Sequence, residues 1–186
     1  MLENAYLREE RGALLSGVTG RVIELGAGTG LNLPHYRADV SLVATEPDPS
    51  MLARARTRGA PRLDSVCLTE CSAEELPFSA ASFDHAVGTL VFCTIPNPER
   101  ALAEVARVLR PGGQLHLIEH ERSAQSALGR IQDLVTPLWK HVAGGCHLNR
   151  DVLALVKRAG FQVTQARHIP PSPRLLPMRV IQAQKV

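Results

Sequence analysis

The feature that most constrains the fold is a regular alternation of short apolar runs with helical patterns. Strands are predicted for RVIEL, VSLVAT, VCLT, HAVGTLV and QLHLIEH, most of which are too apolar for a sheet with one face in water. Helices are predicted between them for PSMLARARTR, NPERALAEVARVLR and QSALGRIQDLVTPLWKHV. The alternation therefore predicts an α/β fold, in which helices cover both faces of a mostly parallel, doubly wound sheet.

The two ends of the chain depart from this alternation. Residues 2–18 predict a leading helix, which ends near Gly17 and Gly20. Towards the C-terminus, the strands FQVTQARHI and MRVIQAQK are separated by a proline-rich loop too short for a helical crossover, so they should run antiparallel. With 186 residues, 45% of them hydrophobic, and no visible linker or repeat, the chain is predicted to form one domain over residues 1–186.

Charge, hydropathy and cysteine spacing exclude several classes of protein. The formal net charge is only +3 and the basic residues are spread evenly, which argues against a nucleic-acid surface. No run approaches the roughly 20 apolar residues of a membrane span, and the N-terminus lacks the apolar core of a signal peptide, so a cytoplasmic protein is expected. The four cysteines form no CxxC pair and are predicted to be reduced thiols, with no metal site.

The stretch ELGAGTG follows the first predicted strand and indicates a nucleotide-like ligand, because glycines there let a ligand approach the backbone. Gly26, Gly28 and Gly30 give GxGxG, and Leu31 stands where a dinucleotide fingerprint needs its last glycine. Leu31 and Asn32 also replace the Lys and Ser or Thr of a phosphate-binding loop. Glu24 at the end of the strand favours a cationic ligand over an anionic one.

Four motifs in order, ELGAGTG, TEPDPSML, CSAEELPF and RVLRPGG, resemble those of the class I S-adenosylmethionine-dependent methyltransferases. The resemblance runs from about Gly20 to the end, and AEELPF with LRPGG resembles the type 11, quinone-biosynthesis-like branch, although the resemblance to the thiol S-methyltransferases is closer. It implies a Rossmann-like sheet of seven strands in the order 3-2-1-4-5-7-6, with strand 7 antiparallel. Further stretches, including TGLNLPHY, IEH and PLWKHVAGGCHLNRD, resemble the methyltransferase-like thiol S-methyltransferases and their small bacterial relatives. The eukaryotic members carry an apolar N-terminal anchor that this sequence lacks, so membrane attachment is not carried over.

The resemblance implies a set of cofactor-binding residues. The loop Gly26–Gly30 would wrap the methionine part of S-adenosylmethionine, with Glu24 near its amino group; Glu46 would hold the ribose; and Thr89 and Leu90 would lie near the sulfonium. The full set is Glu24, Gly26, Ala27, Gly28, Gly30, Asn32, Glu46, Pro47, Met51, Ser72, Ala73, Glu74, Thr89 and Leu90. Within it, Pro47 and Met51 would pack on the adenine and residues 72–74 would meet its edge. Family members often have Asp at the position of Ser72, and a neutral hydroxyl is the weaker acceptor.

The methyl acceptor is less defined. Methyl transfer from a sulfonium is an in-line displacement that needs no protein nucleophile, because holding the two partners in line does most of the work. If the acceptor arrives protonated, His120 is the candidate base and His147 a weaker one, although a structural role fits each of them. Cys93 is interpreted as pocket lining and Trp139 as core. The apolar stretch SALGRIQDLVTPLWKHVAGG suggests a hydrophobic or amphipathic small molecule.

Three classes of function remain at this point. The first is a methyltransferase acting on a small molecule, most plausibly a thiol, with an amine, a phenol or a quinone carbon as alternatives. The second is an inactive cofactor-binding partner subunit. The third, an RNA or protein methyltransferase, would need a recognition domain or a basic surface that the sequence does not show. Because the segment before the glycine loop is short, the site is expected to be open or covered by a partner chain, which leaves a homodimer as an option.

Overall fold

In the computed structural model, which describes residues 5–59, 65–170 and 176–186, seven strands form a single sheet. The strands are β1 Arg21–Leu25, β2 Ser41–Thr45, β3 Val66–Thr69, β4 Phe83–Thr89, β5 Leu109–His120, β6 Phe161–His168 and β7 Met178–Lys185. The helices are α1 Ala5–Leu15, α2 Pro49–Gly59, α3 Pro98–Val108, α4 Ser126–Val142 and α5 Val152–Arg158, with a short 3-10 helix at Leu33–His35.

The strand order is β3-β2-β1-β4-β5-β7-β6, as the sequence predicts. Strands β1 to β5 pair with one another in parallel, whereas β7 pairs antiparallel with both β5 and β6. The predicted Rossmann-like fold and the predicted antiparallel C-terminal strand are therefore confirmed. Because β1, β2, β4 and β5 run the same way, their carboxyl ends meet at one edge of the sheet, where α/β proteins bind ligands.

Both faces of the sheet are buried along β1 and β2, which explains why these two strands are mostly apolar. Neighbouring residues on β1 belong to different cores: Val22 packs with Leu15 and Leu33 on one face, and Ile23 packs with Leu102 on the other. Val22 and Ile23 are each fully buried. A strand that points alternate side chains into two cores favours apolar residues at successive positions, and the buried polar residue of β1, Glu24, lies near its carboxyl end.

Several predicted boundaries shift in the structure. The strand predicted for HAVGTLV begins at Phe83 and ends at Thr89, because Leu90 has a φ of 57° that no extended strand continues. The helix predicted through NPERALAEVARVLR ends at Val108, and β5 then begins before the PGG turn. The sequence analysis also missed α5, whose first turn is capped by Asp151: its Oδ1 accepts a hydrogen bond from the Ala154 amide at 2.9 Å.

Helix α4 carries a row of exposed apolar side chains at helical spacing: Ile131, Leu134, Leu138 and Val142. Leu134 is 81% exposed, while Gln132 and Thr136 face inwards and are buried. No helix among residues 5–59, 65–170 and 176–186 is both long enough and apolar enough to cross a bilayer.

Candidate active site

The glycine loop leaves β1 at the carboxyl edge of the sheet and places its backbone against β2. Gly26, Gly28 and Gly30 all have positive φ, and a Cβ added at Gly30 would lie 3.0 Å from the Ala55 Cα. A Cβ at Gly28 would meet nothing within 4 Å, so Gly28 borders open space. Ala27, between them, is buried and its amide donates to the Thr45 carbonyl at 2.8 Å. The loop therefore fits tightly against α2 and presents open backbone beside Gly28.

Glu24 is a buried carboxylate that points into this edge. It is 2% exposed, and its Oε1 accepts a hydrogen bond from Asn32 Nδ2 at 3.0 Å. Among the described residues its Oε2 makes no hydrogen bond of ordinary geometry, but the Tyr36 hydroxyl lies close enough to act as a donor to this carboxylate and to lower its pKa. Burial nevertheless raises the pKa of Glu24 to about 7, against the opposing effects of Tyr36, Asn32 and Arg11. A cation placed here would offset the cost of burying this carboxylate.

Asn32 connects Glu24 to the next strands and to the leading helix. Its Nδ2 is also 3.1 Å from Thr89 Oγ1, and its Oδ1 accepts a hydrogen bond from Arg11 Nη1 at 2.6 Å. Arg11 lies on α1 and is 6% exposed, so α1 supplies a buried charge to the edge of the site. Sequence reasoning assigned Asn32 and Thr89 to the site and missed Arg11, which no motif marks.

Glu46 follows β2 and is 8% exposed. Its Oε2 accepts a hydrogen bond from the Gly28 amide at 2.8 Å, and its Oε1 accepts one from the Asp48 amide at 3.0 Å. Each carboxylate oxygen can accept a second hydrogen bond, so the two hydroxyls of a ribose remain suitable partners. Glu46 thus fixes the glycine loop as well as offering acceptors to a ligand.

The residues predicted to meet the adenine lie further along the same edge and are more exposed. Pro47 and Ser72 are exposed, Met51 is 37% exposed, and Ala73 is buried. The Ser72 hydroxyl accepts a hydrogen bond from the Glu74 amide at 3.1 Å. Glu74 Oε1 accepts one from the Asn97 amide at 2.9 Å, which attaches this loop to the start of α3. A role of these five residues in cofactor binding stays a prediction.

Leu90 marks the end of β4. Its left-handed backbone conformation is uncommon for a branched side chain and often accompanies a functional site. The Leu90 amide donates to the Ile118 carbonyl at 2.7 Å, which ties this turn to β5. The turn directs the chain away from the sheet just beside Thr89, at the position predicted to lie near the sulfonium.

His120 ends β5 and is 4% exposed. Its Nδ1 lies 3.7 Å from Cys146 Sγ, and the ligand atoms of Cys93, His120 and Cys146 all lie within 4.8 Å of one another. The interpretation of Cys93 as a pocket-lining residue therefore did not include its neighbours His120 and Cys146. His147 is also close, because its amide donates to the Cys93 carbonyl at 2.8 Å. A base role for His120 stays a prediction.

Two further residues that the sequence analysis missed hold the loop after β4. Glu119, fully buried, accepts hydrogen bonds from the amides of Val91, Phe92 and Cys93 at 2.9, 2.8 and 3.1 Å. On the other side, Arg150 Nη1 donates to the carbonyls of Phe92 and Ile95. Burial raises the pKa of Glu119 and lowers that of Arg150. Glu119 and Arg150 lie in the stretches IEH and NRD, which belong to the family resemblance. The spacing of these stretches along the chain does not show that both side chains contact the same loop.

The edge thus has two parts. The glycine-loop half comprises Glu24, residues 26–32 and Glu46; the cysteine half comprises residues 91–95, Glu119, His120, Cys146 and Arg150. The glycine-loop half offers what S-adenosylmethionine requires: an incompletely paired buried carboxylate for its amino group, a second carboxylate for the ribose hydroxyls, and open backbone at Gly28. The residues present therefore fit this cofactor.

Comparisons with known proteins agree with this geometry. A family model described as a methyltransferase domain matches residues 23–117. A thiol S-methyltransferase of Rattus norvegicus is 31% identical over 170 residues, which cover 88% of this chain and 70% of that protein. A phosphatidylethanolamine N-methyltransferase of Cereibacter sphaeroides is 35% identical over 127 residues, which cover 67% of this chain and 63% of that protein.

A solved structure extends the likeness to the whole fold. A Thermotoga maritima S-adenosylmethionine-dependent methyltransferase, described as a possible histamine N-methyltransferase, superposes with a TM-score of 0.69 at 28% identity, covering 98% of this chain and 90% of that one. The family model matches about half of the chain, and a relative is more than 30% identical over most of it. The order of the strands, the glycine loop and the acidic residues at the ends of β1 and β2 are consistent with that match. This chain therefore belongs to the class I S-adenosylmethionine-dependent methyltransferases.

Proposed function

We propose that this methyltransferase transfers a methyl group from S-adenosylmethionine to the sulfur of a small apolar or amphipathic thiol. The observation that carries the choice of a thiol is the extent of similarity to the rodent thiol S-methyltransferases. The family model ends at residue 117, whereas the alignments with the rat and mouse proteins cover 88% of the chain at 31% and 33% identity. An alignment of that length must include residues outside the cofactor-binding core.

Bound S-adenosylmethionine supplies an electrophilic methyl group on a positively charged sulfur. In this proposal, Glu24 pairs with the amino group, Glu46 accepts hydrogen bonds from the ribose, and Thr89 and Leu90 border the sulfonium. Pro47, Met51 and residues 72–74 would enclose the adenine. Holding the cofactor by its two polar ends fixes the direction of the methyl group, so that rate acceleration comes from alignment and exclusion of water.

A thiol acceptor needs little help with its proton. A free thiol has a pKa of about 8.5, so a fraction is already thiolate at neutral pH, and the thiolate is the nucleophile. A phenol with a pKa near 10 would need a base more. The absence of a base requirement for thiols makes the proposal independent of the role of His120.

An amine acceptor is the second candidate. It is favoured by the 35% identity to a protein named as a phosphatidylethanolamine N-methyltransferase and by the likeness to the Thermotoga protein. The N-methyltransferase alignment covers a smaller share of the chain, 67% against 88%, which is why we prefer the thiol.

A competition assay distinguishes the two candidates. The purified chain is incubated with isotope-labelled S-adenosylmethionine and an equimolar mixture of alkyl thiols, amines and phenols, and the products are identified by mass spectrometry. Labelled thioethers should dominate, and the variant Glu24→Gln should form none above background. Labelled amines or aryl ethers in excess of thioethers would overturn the choice of a thiol. No labelled product with any acceptor, from protein that binds the cofactor, would instead support an inactive partner subunit.

A further inference from the structure

Three side chains able to ligate a metal converge in the cysteine half from separate parts of the chain. Cys93 lies in the loop after β4, His120 ends β5, and Cys146 lies in the loop after α4. Their exposed fractions are 1%, 4% and 3%, respectively. Because they are far apart in sequence, they form none of the short Cys and His spacings that mark metal sites, which is why the sequence analysis predicted none.

Their separations suit a single bound cation. In a tetrahedral zinc site with bonds of about 2.3 Å to sulfur and about 2.1 Å to nitrogen, the sulfur and nitrogen lie about 3.6 Å apart. Cys146 Sγ and His120 Nδ1 are 3.7 Å apart, and all three ligand atoms fit within 4.8 Å. Small side-chain adjustments would complete the geometry.

The backbone that carries these ligands is held by contacts of its own. Glu119 fixes the Cys93 amide, and the His147 amide donates to the Cys93 carbonyl, which links the loops of Cys93 and Cys146. His120 is the last residue of β5, where it faces Met178 on β7 in the antiparallel ladder. The three ligands are therefore positioned by the fold rather than brought together by a metal alone, which lowers the entropy cost of binding.

The chemistry of the cluster favours a thiophilic cation. The Cys146 thiol lies against the imidazole of His120, whose Nδ1 is 3.7 Å from the Cys146 Sγ, and the Cys93 Sγ lies within 4.8 Å of both atoms. The two thiols pack beside Leu148, Trp139 and Val135, where an uncompensated thiolate would be costly, so a cation bound between them would offset that cost. Two sulfur ligands and an imidazole select zinc and similar ions over magnesium or calcium.

We propose that Cys93, His120 and Cys146 bind one thiophilic divalent cation, for which Zn²⁺ is the test ion. Within the described ranges the cluster offers three ligand side chains, so a four-coordinate ion would have one position left for a further ligand. The site would join the loop after β4, the end of β5 and the loop after α4. It uses no residue of the glycine-loop half, and the proposal does not depend on the identity of the methyl acceptor.

Cobalt substitution tests the proposal directly. The full chain is reduced, stripped of metal with a chelator and titrated with Co²⁺, whose complexes with thiolates absorb in the near ultraviolet and, when tetrahedral, in the visible. One Co²⁺ per chain should bind and be displaced by Zn²⁺. The variant Cys146→Ser should lose at least tenfold in affinity, and His120→Asn should weaken binding as well. The control Cys67→Ser changes an exposed thiol on β3 and should titrate like the unaltered protein.

A second measurement covers variants that fold poorly. Zn²⁺ should raise the midpoint of thermal unfolding of the unaltered protein and of Cys67→Ser, because a ligand bound only by the folded state stabilises it. It should not raise the midpoint of Cys146→Ser or His120→Asn. The proposal is overturned if the reduced, folded protein shows no thiolate-to-cobalt absorption, if Cys146→Ser retains it, or if mass spectrometry of the untreated protein finds Cys93 and Cys146 joined as a disulfide.

Discussion

The edge of the sheet contains two buried carboxylates, one in each half, and they differ in how many hydrogen bonds they accept. Glu24 and Glu119 are 2% and 0% exposed, and burial raises the pKa of both. Glu119 accepts hydrogen bonds from three backbone amides, whereas Glu24, among the described residues, accepts one from the Asn32 side chain and otherwise has only the Tyr36 hydroxyl close to its carboxylate. A buried carboxylate whose hydrogen-bonding capacity is filled by the backbone stabilises the fold. A buried carboxylate with capacity to spare is available to a ligand.

The largest expected effect comes from Glu119→Gln. The amide group keeps the shape of the carboxylate but turns a donor towards amides that need acceptors, so we expect the free energy of unfolding to fall by about 3–5 kcal/mol. Denaturant unfolding followed by circular dichroism measures it. The matched control is Glu75→Gln, whose side chain is 85% exposed and which should change stability by less than about 0.5 kcal/mol. Equal losses in the free energy of unfolding of Glu119→Gln and Glu75→Gln would contradict a structural role of Glu119.

Glu46→Ala comes next, and it probes the glycine-loop half through binding rather than stability. Removal of the acceptors for the ribose, together with the support of the Gly28 amide, should weaken binding of S-adenosylhomocysteine by about 2–4 kcal/mol. Calorimetry measures this change, with Asp39→Ala as the control because Asp39 is an exposed carboxylate near the other end of β2. Unchanged affinity would mean that the ribose is held elsewhere.

Glu24→Gln should act on stability with the opposite sign to Glu119→Gln. The pKa of Glu24 is about 7 in the folded protein and about 4.3 when unfolded, so its protonated form stabilises the fold at low pH. That stabilisation is complete below about pH 4.3 and is lost as the pH rises through 7. Above pH 7 the variant should therefore be more stable than the unaltered protein, by about 1–3 kcal/mol.

The variant Glu24→Gln should also no longer bind the cofactor. This loss would show that Glu24 serves binding at the expense of stability. Unfolding curves between pH 5 and 8 and calorimetry with S-adenosylhomocysteine test both statements. A stability difference that does not change with pH would show that Glu24 is already ionised and compensated, and the contrast with Glu119 would then disappear.

The smallest effect is expected for Ser72→Asp, which sharpens the comparison at the exposed end of the glycine-loop half. A charged acceptor forms a stronger hydrogen bond than the Ser72 hydroxyl, and Asp can still accept from the Glu74 amide. We expect cofactor binding to tighten by about 0.5–1.5 kcal/mol, again by calorimetry. Weaker binding would indicate that residue 72 does not reach the adenine.

The residues of the glycine-loop half could be named from the sequence because they lie in motifs that carry the family resemblance and contact residues nearby in the chain; their role in cofactor binding stays a prediction. Asn32 lies eight residues from Glu24 and Gly28 lies 18 from Glu46, within one strand-loop-strand unit. The contact from Arg150 to the Phe92 carbonyl spans 58 residues, and the one between Cys146 and His120 spans 26. Periodicity and motif spacing predict which elements form; they do not specify which side chains meet when distant loops pack.

The parts of the fold that were predicted also follow from patterns along the chain. The sheet order and the antiparallel β7 follow from the family pattern and from the short loop before it, whereas the end of β4 depends on the conformation of one residue, Leu90. Helix α5 is only seven residues long and was too short to stand out by its periodicity.

The place of β7 in the sheet decides how much of the C-terminus can be shortened. Although β7 is the last strand along the chain, it lies between β5 and β6, and β6 pairs with β7 alone among the described strands. A truncation before Met178 would thus leave β6 without a neighbouring strand and expose the backbone of β5. Unpaired strand edges of this kind favour self-association. Trimming or tagging at Val186 affects neither ladder. Tail deletions should therefore be tolerated residue by residue only until they reach Lys185.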